Sequence, residues 1–178
     1  ELSRLPWGLL YDSRRGEFLV FGPLVSVVRY IRLYSPPPPL RHGSRLNLLA
    51  VAASPREEAQ LDWRREFAVL TEALAGLSDD LCLQTVFLEH TTQDRLHGAL
   101  VEHTPDVVHY VGHAGFDREQ SCGLLLLEDE SGSLVPLTAP DAARLLRRYG
   151  VNLVVLNACE TSLGAWAGLA PALVRREI

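Results

Sequence analysis

From residue 46 onward, short apolar runs alternate with longer stretches of helical periodicity. Leu46 to Ala53 is a short apolar run, interrupted only by Asn47, that stops at Ser54-Pro55, the pattern of a parallel strand covered on both faces. Trp63, Phe67, Leu70, Leu74 and Leu77 then recur in steps of four and three, which predicts the buried stripe of an amphipathic helix. Leu81 to Leu88 predicts a second strand, with Cys82 packed in the core as a small hydrophobe. Thr91 and Asp94 have capping-box spacing and open a predicted helix through Val101, in which Leu96 and Leu100 lie four apart. Val107 to Val111 predicts a third strand.

Leu124 to Leu127 and Leu134 to Leu137, separated by Ser131-Gly132, read as a β-hairpin, with Cys122 ahead of it in a structural or exposed position. Thr138 with Asp141 opens another helix, whose Ala142, Leu145, Leu146 and Tyr149 make one face and which Gly150 ends. Val151 to Leu156 is the fourth core strand, and a last helix is expected over about Ala165 to Arg175. Upstream, residues 1–35 alternate short apolar runs with turn residues and predict a small β-hairpin element. Pro36 to Pro39 make a stiff connector over 36–45, because proline cannot donate to a ladder. Residues 46–178 are therefore expected to form an α/β three-layer sandwich with a mostly parallel sheet. In such sheets catalytic groups gather at the carboxyl ends of the strands.

Composition narrows the function. A chain of 178 residues is long enough to bury one sizeable core without disulfide or metal staples. The formal net charge of −5 provides no field for a polyanion, which argues against nucleic acid as a partner. All 17 basic residues are arginine, so a lysine Schiff base and a P-loop lysine are excluded. Three cysteines without a CxxC pair fit a reducing, cytoplasmic setting. No apolar run approaches the roughly 18 residues of a membrane span, and no signal-peptide pattern opens the chain, so no membrane partner is expected. The sequence contains no methionine and is expected to be an excerpt of a longer polypeptide.

The third predicted strand runs into Gly112-His113-Ala114-Gly115, and the fourth into Asn157-Ala158-Cys159-Glu160-Thr161. If the two strands are parallel neighbours, both carboxyl ends lie on one edge, and an imidazole meets a thiol. A thiol needs a nearby base or cation to act as a nucleophile, and histidine is the usual partner. The helix expected after Cys159 adds a dipole that favours thiolate. The glycines flanking His113 are expected to let the backbone turn sharply. The amides of Ala114 and Cys159 are then natural oxyanion donors. Histidine followed by cysteine at about 50 residues is the caspase order, although Asn157 to Thr161 is not the caspase pentapeptide.

The histidines and acids near these strand ends also fit other roles. His97, His103, His109 and His113 invite a zinc site, with His109 and His113 sharing a strand face. Residues four apart on a strand are about 13 Å apart, too far to share one ion, so no metal is expected. Asp129 and Glu160 are candidates for an acidic pocket wall that selects a basic substrate side chain. Hairpin solvation for Asp129 and helix N-terminal charge for Glu160 are the competing roles. Thr161 and Ser162 suit a helix cap, and Arg175 and Arg176 a helix C-terminus.

The segments PDVVHYVGHAGFD (105–117), GLLLLEDESG (123–132) and VNLVVLNACETS (151–162) resemble the CHAT domain, a caspase-like peptidase domain often found beside TPR repeats. LPWGLLYD (5–12) and VVRYIRL (27–33) resemble its usual lead-in. The resemblance implies a caspase-like fold, His113 as catalytic histidine, Cys159 as nucleophile, a protein or peptide substrate, and no cofactor. It also implies gating by an adjacent TPR or other regulatory domain. Where many members have glycine after the histidine, this chain has Ala114, which keeps the amide available. Family members continue past the helix after the cysteine into a strand beginning Pro-Ala-Val-Val, so the fragment is expected to be truncated and its substrate pocket incomplete. The alternative to a cysteine endopeptidase is a non-catalytic interaction module of the same fold.

Overall fold

The computed structural model describes residues 9–19, 45–76, 82–158 and 173. The chain divides into two compact units, residues 1–34 and 35–178. In the first, β1 (Tyr11–Asp12) and β2 (Glu17–Phe18) form an antiparallel hairpin. Gly16 turns it at φ 70°, and the Tyr11 and Phe18 rings meet edge to face at 5.3 Å. The rest of the lead-in and the connector expected at Pro36 to Pro39 lie outside the described residues.

The second unit runs β3 (Leu46–Ala52), α1 (Trp63–Ala75), β4 (Leu83–Leu88), α2 (Gln93–His103), β5 (Val107–Val111), β6 (His113–Asp117), β7 (Cys122–Glu128), β8 (Leu134–Thr138), α3 (Ala139–Arg148) and β9 (Leu153–Asn157). The main sheet has the order β4-β3-β5-β9, with every neighbouring pair parallel. Alternation along the inner strands divides the core in two. Leu48, Ala50, Ala52, Val107 and Val111 pack against Trp63 and Phe67 of α1. Leu49, Val51, Val108 and Tyr110 point the other way, toward Leu96 and Leu100 of α2 and Ala142 and Leu146 of α3. The result is the expected three-layer α/β sandwich, and β3 is buried on both faces from Leu48 onward, as its apolar run requires.

Some local expectations change. The cap of α2 is Thr92, whose hydroxyl accepts the Arg95 amide at 3.2 Å. Thr91 is fully buried, and its hydroxyl hydrogen is shared between the carbonyls of Ala52 at 2.9 Å and Leu88 at 3.3 Å, so the side chain is held at the two strand ends. Cys82 is exposed at φ 48°, one residue before β4, and is not a core residue. The predicted hairpin is two strands of a three-stranded antiparallel sheet, β6-β7-β8, with Cys122 at the start of β7. The signal for β6 is weak because His113-Ala114-Gly115-Phe116-Asp117 is short and polar at alternate places. The helix expected over about Ala165 to Arg175 lies, apart from Leu173, outside the described residues.

The two sheets are joined at Gly112. Gly112 N–H donates to the Asn157 carbonyl at 3.2 Å, after which the chain leaves the parallel sheet and enters β6. The Tyr110 ring packs over Gly112 so closely that a Cβ there would overlap the phenol. The Tyr110 hydroxyl is in turn shared between the carbonyls of His113 at 2.9 Å and Leu126 at 2.8 Å. Gly115 differs, since an added Cβ would meet only Leu126 and Leu124 side chains at 3.8 and 3.9 Å. The requirement is thus for space at Gly112, not for a sharp turn on both sides of His113. We expect Gly112→Ala to lower stability by about 1–3 kcal/mol through overpacking, and Gly115→Ala to be near neutral. Urea unfolding midpoints check this; equal midpoints for the two variants would remove the proposed joint.

Candidate active site

The carboxyl ends of β5 and β9 are adjacent. Their register pairs Val107 with Leu153 and continues to Val111 opposite Asn157. On its other side Val111 accepts the Ala53 amide at 3.1 Å, so the end of β5 is held from both flanks. His113 follows as the first residue of β6, partly exposed. Its Nε2–H donates to the Ala59 carbonyl at 2.7 Å. A carbonyl can only accept, which fixes the proton on Nε2 and leaves the Nδ1 lone pair free to take one.

Ala59 belongs to the loop between β3 and α1. That loop lies against the antiparallel sheet: Ser54 N–H donates to Glu128 Oε1 at 2.6 Å, and Arg56 N–H to the Gly132 carbonyl at 3.0 Å. It then leads into α1, capped by Asp62. In the first turn of α1, Glu66 Oε2 accepts Asn157 Nδ2–H at 3.0 Å. The stretch from Ala59 to Glu66 therefore bonds to both strand ends. Ala158 packs against the core. Cys159 with its backbone amide, Glu160, Thr161, Ser162, Arg175 and Arg176 lie outside the described residues.

Ala114 is buried in β6, opposite Leu125. Asp129 sits in the β7–β8 turn, where Oδ1 accepts from the Ser131 amide and hydroxyl and the Ser133 amide at 2.7–2.9 Å. The Ser131 hydroxyl is the largest cause holding its carboxyl below the ordinary range. Asp129 also borders an open cleft of about 320 Å³ with Arg56, His90, Arg95 and Glu128. His109 and His113 are on different strands, not one face, and His97 and His103 lie on α2. His97 Nε2 is 2.6 Å from the Tyr149 hydroxyl. Among the described residues no cluster of three or more His, Cys, Asp or Glu side chains is arranged to hold a metal.

Sequence reasoning missed Ala59, Glu66 and Glu128. Ala59 contributes a backbone carbonyl, which no residue type signals. Glu66 reads as an ordinary acid at a helix start, and Glu128 as the charged end of an apolar run. His109, on the α1 face, has its imidazole pushed below the usual value of 6.5 by burial, with Glu66 pulling it back up. The unfolded chain then takes the proton first as pH falls, so stability should decline below about pH 6.5. We expect the decline in urea midpoint between pH 6.5 and 5 to be shallower in His109→Gln than in the parent; identical slopes would contradict it.

Comparison with curated proteins finds no match. Among the described residues no helix is long and apolar enough to cross a membrane. The family model of the CHAT domain matches residues 1–176, nearly the whole chain, and its caspase-like architecture agrees with a parallel sheet of order β4-β3-β5-β9 between helical layers. The chain belongs to the CHAT domain family, a caspase-like domain family related to cysteine peptidases.

Proposed function

We propose that the protein is a cysteine endopeptidase in which Cys159 is the nucleophile and His113 its base. The observation that carries this reading is the parallel pairing of β5 with β9. Asn157 stands opposite Val111, so His113 and Cys159 each follow that pair by the same number of residues. The bond from His113 to Ala59 supports the same roles, because a general base works best when a third group fixes its tautomer and orientation.

In this mechanism Nδ1 of His113 takes the thiol proton, and the Ala59 carbonyl stabilises the resulting imidazolium through Nε2–H. The thiolate attacks the scissile carbonyl carbon. The developing oxyanion is met by the backbone amides of Ala114 and Cys159. Collapse breaks the C–N bond, His113 returns the proton to the leaving amine, and water hydrolyses the thioester. No cofactor enters the scheme. Asp129 and Glu160 are proposed as the acidic wall for a basic substrate side chain; Asp129 suits this as a carboxylate whose ionised form is favoured by its turn. An adjacent TPR or other sensor domain gates access.

The test uses the complete domain with its partner domain and a panel of peptides carrying basic, neutral or acidic residues at the cleavage point. Cys159→Ala and His113→Ala should each lower kcat/KM by at least roughly a thousandfold, with basic peptides cleaved best by the parent. Unchanged cleavage in Cys159→Ala would refute the nucleophile.

A further inference from the structure

Glu128 ends β7 with its side chain only 4% exposed. A carboxylate so placed is costly unless its oxygens find donors. Oε1 accepts the Ser54 amide at 2.6 Å, and Oε2 accepts His90 Nδ1–H at 3.3 Å. Its own amide donates to the Thr91 carbonyl at 3.0 Å. One residue thereby ties the end of β7 to the segments leaving β3 and β4. The Ser54 contact is short and charge-assisted, the strong kind of hydrogen bond, and it fixes the point where the loop leaves the sheet.

The loop is held again further along. Pro55 is fully buried, and the Glu57 carboxylate accepts the Leu134 amide of β8 at 2.9 Å. Between these anchors and Asp62, the cap of α1, lies Ala59, whose carbonyl takes His113 Nε2–H. The imidazole's orientation therefore depends on a loop whose course is set by two carboxylates of opposite exposure, Glu128 buried and Glu57 on the surface.

We propose that Glu128 and Glu57 are positioning residues for His113, holding the loop so that the Ala59 carbonyl keeps Nε2 protonated and turns Nδ1 toward the strand-end edge. The value of this to catalysis rests on His113 being the base for Cys159, but the positioning itself is measurable without turnover.

Nitrogen-15 NMR of the histidine side chains in the complete domain reads the tautomer and the solvent exchange of the His113 Nε2–H. The parent should show the Nε2–H form with a slowly exchanging proton. Glu128→Leu, which fills the space but removes the acceptor for Ser54, should give mixed tautomers and fast exchange; Glu128→Gln, which keeps an acceptor oxygen, should restore most of the parent signal. Glu57→Ala, at an exposed site that should leave the fold intact, should shift the signal the same way by a smaller amount. Where peptides are cleaved, Glu128→Leu should lower kcat on the order of ten- to a hundredfold with KM changed by less than about twofold, the signature of a misplaced catalytic group. A His113 signal that is the same in the parent and Glu57→Ala, and in Glu128→Leu where that variant folds, would overturn the proposal. Absence of cleavage alongside a tautomer that follows these substitutions would refute the peptidase reading and not the positioning.

Discussion

The Tyr110 hydroxyl, buried between the parallel sheet and the antiparallel one, bonds the carbonyls of His113 and Leu126 at once. Burial pushes its ionisation far above the ordinary tyrosine value, so it stays a neutral donor. Removing it would leave two carbonyls short of a donor at a cost of about 1–3 kcal/mol. Its ring also accounts for Gly112, since the chain can cross from β5 into β6 over the phenol only where there is no side chain. The direction of β6, its pairing with β7 and the place of Glu128 at the end of β7 all follow from this crossing.

The helical layers have separate tasks. α2 and α3 cover the face that also receives Leu125, Leu127 and Leu137 of the small sheet, and most of the buried apolar surface lies there. α1 covers the other face with Trp63 and Phe67, and the chain approaching it reaches His113. Ala59 bonds His113, and Glu66 bonds Asn157, across 54 and 91 residues of sequence. Each bond alone is worth about 1 kcal/mol. Together they make the spacing of the two strand ends a property of one short segment, which is the kind of preorganisation the proposed Cys159–His113 pair would need.

Most of the sandwich is legible in the sequence because its signals are repetitive: the five-residue stripe from Trp63 to Leu77 and the short apolar run of β3 leave little choice of element. Thr91 and Thr92 look alike as α2 caps in sequence; only the buried carbonyls of Ala52 and Leu88 draw the Thr91 hydroxyl to the strand ends and leave the cap to Thr92. Cys82 falls outside the core because β4 starts at Leu83, later than the apolar run suggests. β6 has no clear sequence signal because pairing with β7, not its own composition, makes it a strand. For the site, the histidine and its strand end were readable from residue type. The Ala59 carbonyl and the Glu128 tie were not, because a backbone acceptor has no residue signature and a buried acid is indistinguishable in sequence from a solvated one. Cys159, the other half of the pair, and Glu160 lie outside the described residues.

The proposed catalysis requires that the β5–β9 pairing deliver the His113 imidazole to the Cys159 thiol. The most direct measurement is the pH dependence of alkylation of Cys159 by iodoacetamide, with a free-cysteine peptide as the reference thiol. Cys159 should react with a midpoint well below the model thiol value of about 8.5, and His113→Ala should move the midpoint back to that of the reference peptide. A Cys159 that titrates with the reference peptide, indifferent to His113, would contradict the proposed pair.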